Sequence, residues 1–248
     1  MNELRDYFEQ NDGNLIDKWD HYFEIYYDIF KNYADKPVVL LEIGVNHGGS
    51  LQMWKKFFHP ESQIFGVDIN PECKKYEDDN VEIFIGSQSD PEFLNYLKRA
   101  IPKVDILIDD GGHTMKQQIT AFTFLFDHVK NGGVYLCEDI NTSYWPKWGG
   151  GVEISSTFIE FSKRKIDSLN AWYSKEPNFK IDEFSRSVKL ISFYTGIVCF
   201  FKDDIKPPFS RKTGVPNLKL EVNSSELETL TIRMRIKRFL HRLIDSFI

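Results

Sequence analysis

The sequence is poor in cysteine, with three in 248 residues, and Cys73, Cys137 and Cys199 follow neither a metal-ligand nor a redox spacing. That argues against a disulfide framework and against a thiolate metal centre. Cys137 and Cys199 lie in apolar, strand-like runs, where inert buried thiols are expected. No apolar run approaches the roughly 18 residues that a membrane-spanning helix needs. Met1 leads straight into polar, charged sequence with no signal-peptide core, so the expected setting is soluble, reducing and cytoplasmic. Net positive charge is also missing: the formal balance is −6, which argues against a general nucleic-acid binder. The G-x-G-x-x-G spacing is absent, because the glycines near the first strand fall at 44, 48 and 49, and this weakens an NAD-linked reductase reading. No internal repeat or low-complexity stretch stands out.

What the sequence does have is acid at the ends of apolar runs. Val104-Asp105-Ile106-Leu107-Ile108-Asp109-Asp110-Gly111-Gly112-His113 reads as a buried strand, with two carboxylates, two glycines and a histidine following closely. Gly133-Val134-Tyr135-Leu136-Cys137-Glu138-Asp139 repeats the pattern and again ends in two acids. Ligands of open α/β sheets sit outside the carboxyl ends of the strands. If these strands are neighbours, several carboxylates and one imidazole face a single crevice. Burying that much negative charge costs several kcal/mol per ion unless a cation or hydrogen bonds offset it. Capping of the following helices is the structural alternative.

The chain in order supports an α/β sheet, and a chain of this length is commonly one domain. Residues 14–33 place Trp19, Tyr22, Phe23, Tyr26, Tyr27 and Phe30 at helical spacing, either as core packing or as a lid stacking on a ring-shaped ligand. Residues 38–44 form an apolar strand whose glycine turn feeds a helix at Leu51, an arrangement that lets backbone approach a ligand. Residues 64–68 are a second strand ending in Asp68, placed to accept ribose hydroxyls as in nucleotide-binding βαβ units. A third strand over 81–85 precedes the polar turn 86–90, with Asp90 and Pro91 opening a helix to residue 100. A helix is expected over 114–130, closed by Asn131-Gly132-Gly133, and another over 152–172. Tyr144 and Trp145 lie in an aromatic, glycine-rich loop after the fifth strand, read as a substrate loop. Residues 188–193 and 197–201 signal a hairpin through Tyr194-Thr195-Gly196.

The order strand, glycine turn, helix, strand–Asp, then a sheet ending in a hairpin is the layout of class I S-adenosylmethionine-dependent methyltransferases. LLEIGVNHGGSLQMW, IFGVDIN, GSQSD, DILIDDGGH and EDINTSYW, in that order, resemble the metal-dependent O-methyltransferases that modify sugar hydroxyls of macrolides and related glycosylated natural products. The segment DKWDHYFEIYYDIF is similar to the lead-in of that family. The resemblance implies a Rossmann-like, mostly parallel sheet with a C-terminal antiparallel hairpin and helices on both faces. It implies an N-terminal aromatic helical lid over 1–36, a methyltransferase domain over 37–210 and a tail over 211–248. It also implies S-adenosyl-L-methionine as cofactor, held by Glu42, Gly44, Ser50, Asp68, Ser87, Gln88 and Asp109. Asp110, Glu138 and Asp139 would hold Mg²⁺ or Mn²⁺, an oxygen ligand set that suits either ion. His113 would act as general base on an acceptor hydroxyl, a small molecule or a glycan, in contact with Tyr22, Tyr144 and Trp145. Ser87 stands where many class I enzymes place an acid toward adenine. A metal-dependent hydroxylase and a catalytically inactive binding partner are the alternatives to this reading.

The tail carries Leu230, Met234, Phe239 and Leu243 beside Arg233, Lys237, Arg238 and Arg242. The expectation is a helix packed on its own domain or on a second copy, giving a homo-oligomer. Peripheral membrane contact and a flexible tail are the competing readings.

Overall fold

The computed structural model describes residues 2–215 and Asn217; the stripe over 226–248 lies outside the described residues. The strands are β1 (Val39–Ile43), β2 (Gln63–Asp68), β3 (Val81–Ile85), β4 (Val104–Asp109), β5 (Val129–Cys137), β6 (Val188–Phe193) and β7 (Val198–Lys202). They form one sheet in the order β3-β2-β1-β4-β5-β7-β6, in which only the pairings of β7 are antiparallel. The helices are α1 (Glu3–Glu9), α2 (Tyr22–Phe30), α3 (Gly49–Phe57), α4 (Pro91–Ala100), α5 (Met115–Leu125), α6 (Phe158–Leu169) and α7 (Glu183–Ser187).

The strands read as continuous apolar runs because both faces of the sheet are covered. Successive side chains alternate between two cores: Leu40, Ile106 and Ile108 pack with α2 and α3, whereas Leu41, Leu107 and Tyr135 pack with α4, α5 and α6. On the first face Trp54 receives the rings of Tyr26 and Phe30 edge-on, at centroid distances of 5.3 and 5.6 Å. On the second, Phe122 is the hub, 4.6 Å from Phe200 and 4.8 Å from Phe126. Rings of this size each contribute roughly 1.5–3 kcal/mol by leaving water. All three cysteines are buried and free.

The structure departs from the sequence reading in three places. The helix expected over 14–33 is only α2; of the two readings of its aromatics core packing holds, since Tyr22, Phe23, Tyr26 and Phe30 are almost wholly buried. The sheet and the N-terminal helices form a single unit ending at Pro208, so no boundary falls at residue 36. Asn131-Gly132-Gly133 does not cap a helix. Strand β5 already begins at Val129, which pairs with Val104, and the register shifts before Ile106 meets Val134. Gly133 is needed there because a Cβ would stand 2.5 Å from the Asp105 carbonyl oxygen. From Phe209 the chain is a separate unit, whose described residues carry neither helix nor strand. Among the described residues no helix is long and apolar enough to cross a membrane.

Candidate active site

Strands β1 and β4 are neighbours although β2 and β3 separate them in sequence, which makes their carboxyl ends the switch point of the sheet. A cavity of about 800 Å³ opens there, lined by the turns after β1, β2, β3, β4 and β5 and by residues 17–20. The β1 turn depends on Gly44, whose φ is +100° and where any Cβ would stand 2.1 Å from the Asp110 carbonyl oxygen. Asp68 binds this turn to β2: Oδ2 accepts from the backbone of Val45 and Asn46 at 3.0 and 2.9 Å, and Oδ1 from Asn70 at 2.8 Å. The carboxylate also lines the cavity, with acceptor capacity left on Oδ1. Capping after β2 falls to Asn70, whose side chain accepts from the Glu72 amide.

Three of the expected cofactor residues, Glu42, Ser50 and Asp109, lie beneath the cavity rather than on it. Glu42 is fully buried and accepts from Ser50 Oγ at 2.8 Å and Trp54 Nε1 at 3.1 Å, so this pair with Ser50 braces the glycine turn from behind. Asp109 is buried in the same way, accepting from Gln88 Nε2 at 2.9 Å and Tyr135 Oη at 3.0 Å. Gln88 lines the cavity, but its other end accepts from the Gly112 amide at 2.6 Å, so its carboxamide is committed at both ends. Ser87 lines the same wall and its hydroxyl pairs with Ser89.

Burial pushes the Glu42 carboxyl up from 4.5 to about 7, against the pull of Lys18. A raised pKa means that the folded protein holds a proton the unfolded chain has already released. The contribution of Glu42 to stability is therefore complete below pH 4.5 and lost as pH rises through 7. Glu42→Gln, which does not titrate, should gain on the parent protein by on the order of 3 kcal/mol between pH 4 and pH 8. Thermal midpoints of both proteins at each pH measure this, and parallel profiles would contradict it.

The acids on the cavity itself come from β4 and β5. His113 and Asp139 both have left-handed backbone, with φ of 55° and 51°. Such strain in non-glycine residues persists only where surroundings enforce it. Both turns meet at Thr142, whose buried hydroxyl lies 2.8 Å from the carbonyl oxygens of both His113 and Asp139. His113 Nε2 stands 3.6 Å from Asp139 Oδ2 and 3.9 Å from Asp110 Oδ1, while Nδ1 is buried without a partner. One ligating atom each from Asp110, His113 and Asp139 fits within 4.8 Å. Asp139 Oδ1 accepts from Tyr22 Oη at 2.8 Å and from Trp19 Nε1 at 3.1 Å.

Lys18 is the residue that sequence reasoning missed. Its ammonium pairs with Asp110 Oδ2 and, at 2.9 Å, with Glu138 Oε2, at a side-chain exposure of 4%. Burial works to lower its pKa, yet the charges of Asp110, Glu138 and Glu42 hold it well above the ordinary value. Burial likewise raises Glu138 to about 8, and Glu138 Oε1 is enclosed without a hydrogen-bond partner. A signal existed in the sequence: a crevice holding that many carboxylates calls for a cation, and Lys18 lies in the aromatic stretch similar to the family lead-in.

The aromatic contacts also fall differently from expectation. Tyr22 lines the cavity, but Tyr144 and Trp145 do not, and both are about half exposed. The ring nearest the histidine is Trp148, 6.1 Å from His113.

This sheet order, the antiparallel last strand and the acid-edged switch point are those of the class I methyltransferase fold. Residues 41–140 match the family described as "Methyltransferase domain". Among curated proteins, the chain is similar to the 8-demethyl-8-alpha-L-rhamnosyl tetracenomycin-C 2'-O-methyltransferase of Streptomyces olivaceus. The two are 35% identical over 192 residues, covering 73% of this chain and 50% of that protein. The mycinamicin VI 2''-O-methyltransferase of Micromonospora griseorubida is 41% identical over 161 residues, covering 60% and 40%. Among solved structures, the MycE methyltransferase from the mycinamycin biosynthetic pathway, in complex with Mg and SAH, matches with a TM-score of 0.73. It is 30% identical and the match covers 92% of this chain and 59% of that one. The chain thus spans about half the length of the curated relatives it matches.

Proposed function

We propose that this chain transfers a methyl group from S-adenosyl-L-methionine to a sugar hydroxyl of a glycosylated small molecule, with Mg²⁺ or Mn²⁺ held by Asp110, Glu138 and Asp139. The observation that carries the reading is the meeting of Asp110, His113 and Asp139 on the cavity that the Gly44 turn also lines. Support for the acceptor class comes from the relatives, one of which is named for the 2'-O position of a rhamnosyl tetracenomycin. Support for the cofactors comes from MycE, solved with Mg and SAH.

The donor set fits a hard divalent cation: the ligands are carboxylate oxygens, and Glu138 Oε1 is a buried acceptor without a partner. When bound, such an ion lowers the pKa of a coordinated hydroxyl. The chain's own residues supply the rest. Asp68 and the backbone of the β1 turn offer hydrogen bonds to the donor's ribose and methionine parts. His113 presents Nε2, flanked by two carboxylates, to take the hydroxyl proton as the oxygen attacks the sulfonium methyl. The carbon–sulfur bond breaks, its electrons return to sulfur, and the products are the methyl ether and S-adenosylhomocysteine. Asp110 and Asp139 stabilise the resulting imidazolium.

A second reading is favoured by the 4.8 Å cluster, namely that His113 is itself a ligand, as in a metal-dependent hydroxylase. Incubation with methyl-labelled S-adenosyl-L-methionine, Mg²⁺ and a rhamnosylated aglycone separates the two. Label on a sugar oxygen, lost with EDTA and restored by Mg²⁺, is the expected result. Full turnover in chelator would remove the metal from the mechanism. Binding of the donor without transfer to any glycosylated acceptor would leave a binding module.

A further inference from the structure

Each acid assigned above to the cation is already engaged by one short segment of the chain. Lys18 pairs with Asp110 and Glu138, and the adjacent Trp19 donates to Asp139. The segment is anchored on either side of this contact. Before it, the Asn14 amide donates to Gln52 Oε1 of α3 at 3.0 Å. After it, His21 Nε2 lies 2.9 Å from the Thr195 carbonyl oxygen in the β6–β7 turn. Between these anchors residues 17–20 carry no helix or strand, and they line the cavity with Trp19 half exposed. Ile16 is buried in the core and Arg5 of α1 holds Asp20, at 2.8 Å to Oδ1 and 3.0 Å to its carbonyl oxygen, while Lys18 and Trp19 are held toward the crevice by the acids themselves.

We propose that Lys18 is a built-in counter-cation: its ammonium occupies the position of the divalent ion, and an entering ion must displace it from Asp110 and Glu138. Lys18 holds one oxygen of each carboxylate, Asp110 Oδ2 and Glu138 Oε2, and its charge repels an ion drawn to the same two carboxylates, so loading the metal and releasing the segment around Lys18 are coupled. This rests on the metal reading given above and adds to it a residue that opposes the metal. The consequence is quantitative. An ion that binds only the fraction of molecules with the acids free has its apparent Kd raised by that fraction. If Lys18 holds the acids in nine molecules of ten or more, its removal strengthens ion binding about tenfold or more.

The test uses the full chain and MnCl₂ as the probe, with acetylation of lysines by an N-hydroxysuccinimide ester read by mass spectrometry. In the parent protein Lys18 should resist acetylation in EDTA and become reactive as Mn²⁺ saturates, while Lys202, which is buried elsewhere, does not change. In calorimetry Lys18→Met should bind Mn²⁺ about tenfold or more tightly than the parent; if Lys18→Met does not fold, Lys18→Gln replaces it, and the acetylation experiment needs no variant. Unchanged protection of Lys18 at saturating Mn²⁺ would overturn the proposal even if the variant bound more tightly, because loss of a nearby charge alone could tighten binding. Equal or weaker Mn²⁺ binding by the folded variant would overturn it too, and would leave the metal reading intact. Failure of parent and variant alike to bind Mn²⁺ would sink both.

Discussion

His113→Gln should lower kcat for methyl transfer by roughly 10²–10⁴-fold, the usual range for a general base. Glutamine keeps polar reach but cannot accept a proton at neutral pH. The geometry says which nitrogen matters: Nδ1 is enclosed, and Nε2 looks toward Asp110 and Asp139 across the cavity. A base role requires the loss to appear in single-turnover transfer from labelled donor, with donor and Mn²⁺ affinities within about threefold of the parent. A ligand role gives the opposite pattern, in which Mn²⁺ affinity collapses along with turnover. Because φ at this residue is 55°, some loss could come from backbone alone. His113→Asn controls for that, since asparagine accepts left-handed backbone more readily than most residues and is no better a base. Retained kcat in both folded variants would remove His113 from the chemistry.

Gly44→Ala is expected to be the most damaging single methyl group in the chain. The new Cβ would meet the Asp110 carbonyl oxygen at 2.1 Å, at a φ of +100° that side chains rarely adopt. Neither partner is the end of a flexible side chain, so the backbone of the β1 turn or of the β4 end must shift. A cost of about 3–5 kcal/mol follows from strain plus overlap, on the order of 10 °C in Tm for a domain of this size. Function should suffer beyond stability, because the displaced backbone carries Asp110 on one side and Val45 and Asn46, tied to Asp68, on the other. Calorimetric titration with S-adenosyl-L-methionine below the midpoint of the variant measures that part. A Tm within about 2 °C of the parent would show that the turn can relax, and the packing argument would fall.

Most of the sheet was legible because burial on both faces leaves an unmistakable mark. Val39–Ile43 and Val104–Asp109 could not be solvent-facing strands, and the acid that follows the second of them, Asp110, belongs to the ligand edge. The hairpin was legible through Gly196, whose φ of 82° the turn requires. What periodicity cannot report is which neighbour a side chain meets. Aromatic spacing over 14–33 suggested one helix, yet residues 14–18 belong to no helix or strand and the exposed Trp19 lies before α2 begins. Strand-end acids of the same type also divide by role only in three dimensions: Asp109 serves as a brace and Asp110 faces the cavity. Lys18 was hidden for the same reason, since its partners are 92 and 120 residues away.

The Thr142 hydroxyl links the two left-handed turns that hold His113 and Asp139, and this bears on any attempt to alter the acceptor range proposed above. Randomising residues 140–148, beside the histidine, would disturb the Thr142 contact with the His113 and Asp139 turns without reaching the cavity wall. The segment over residues 17–20 reaches the same cavity from an independent part of the chain. Diversity introduced at Asp17, with Lys18, Trp19, Thr142 and the Arg5-bound Asp20 kept, leaves that contact intact, and that is where a library for altered acceptor range belongs.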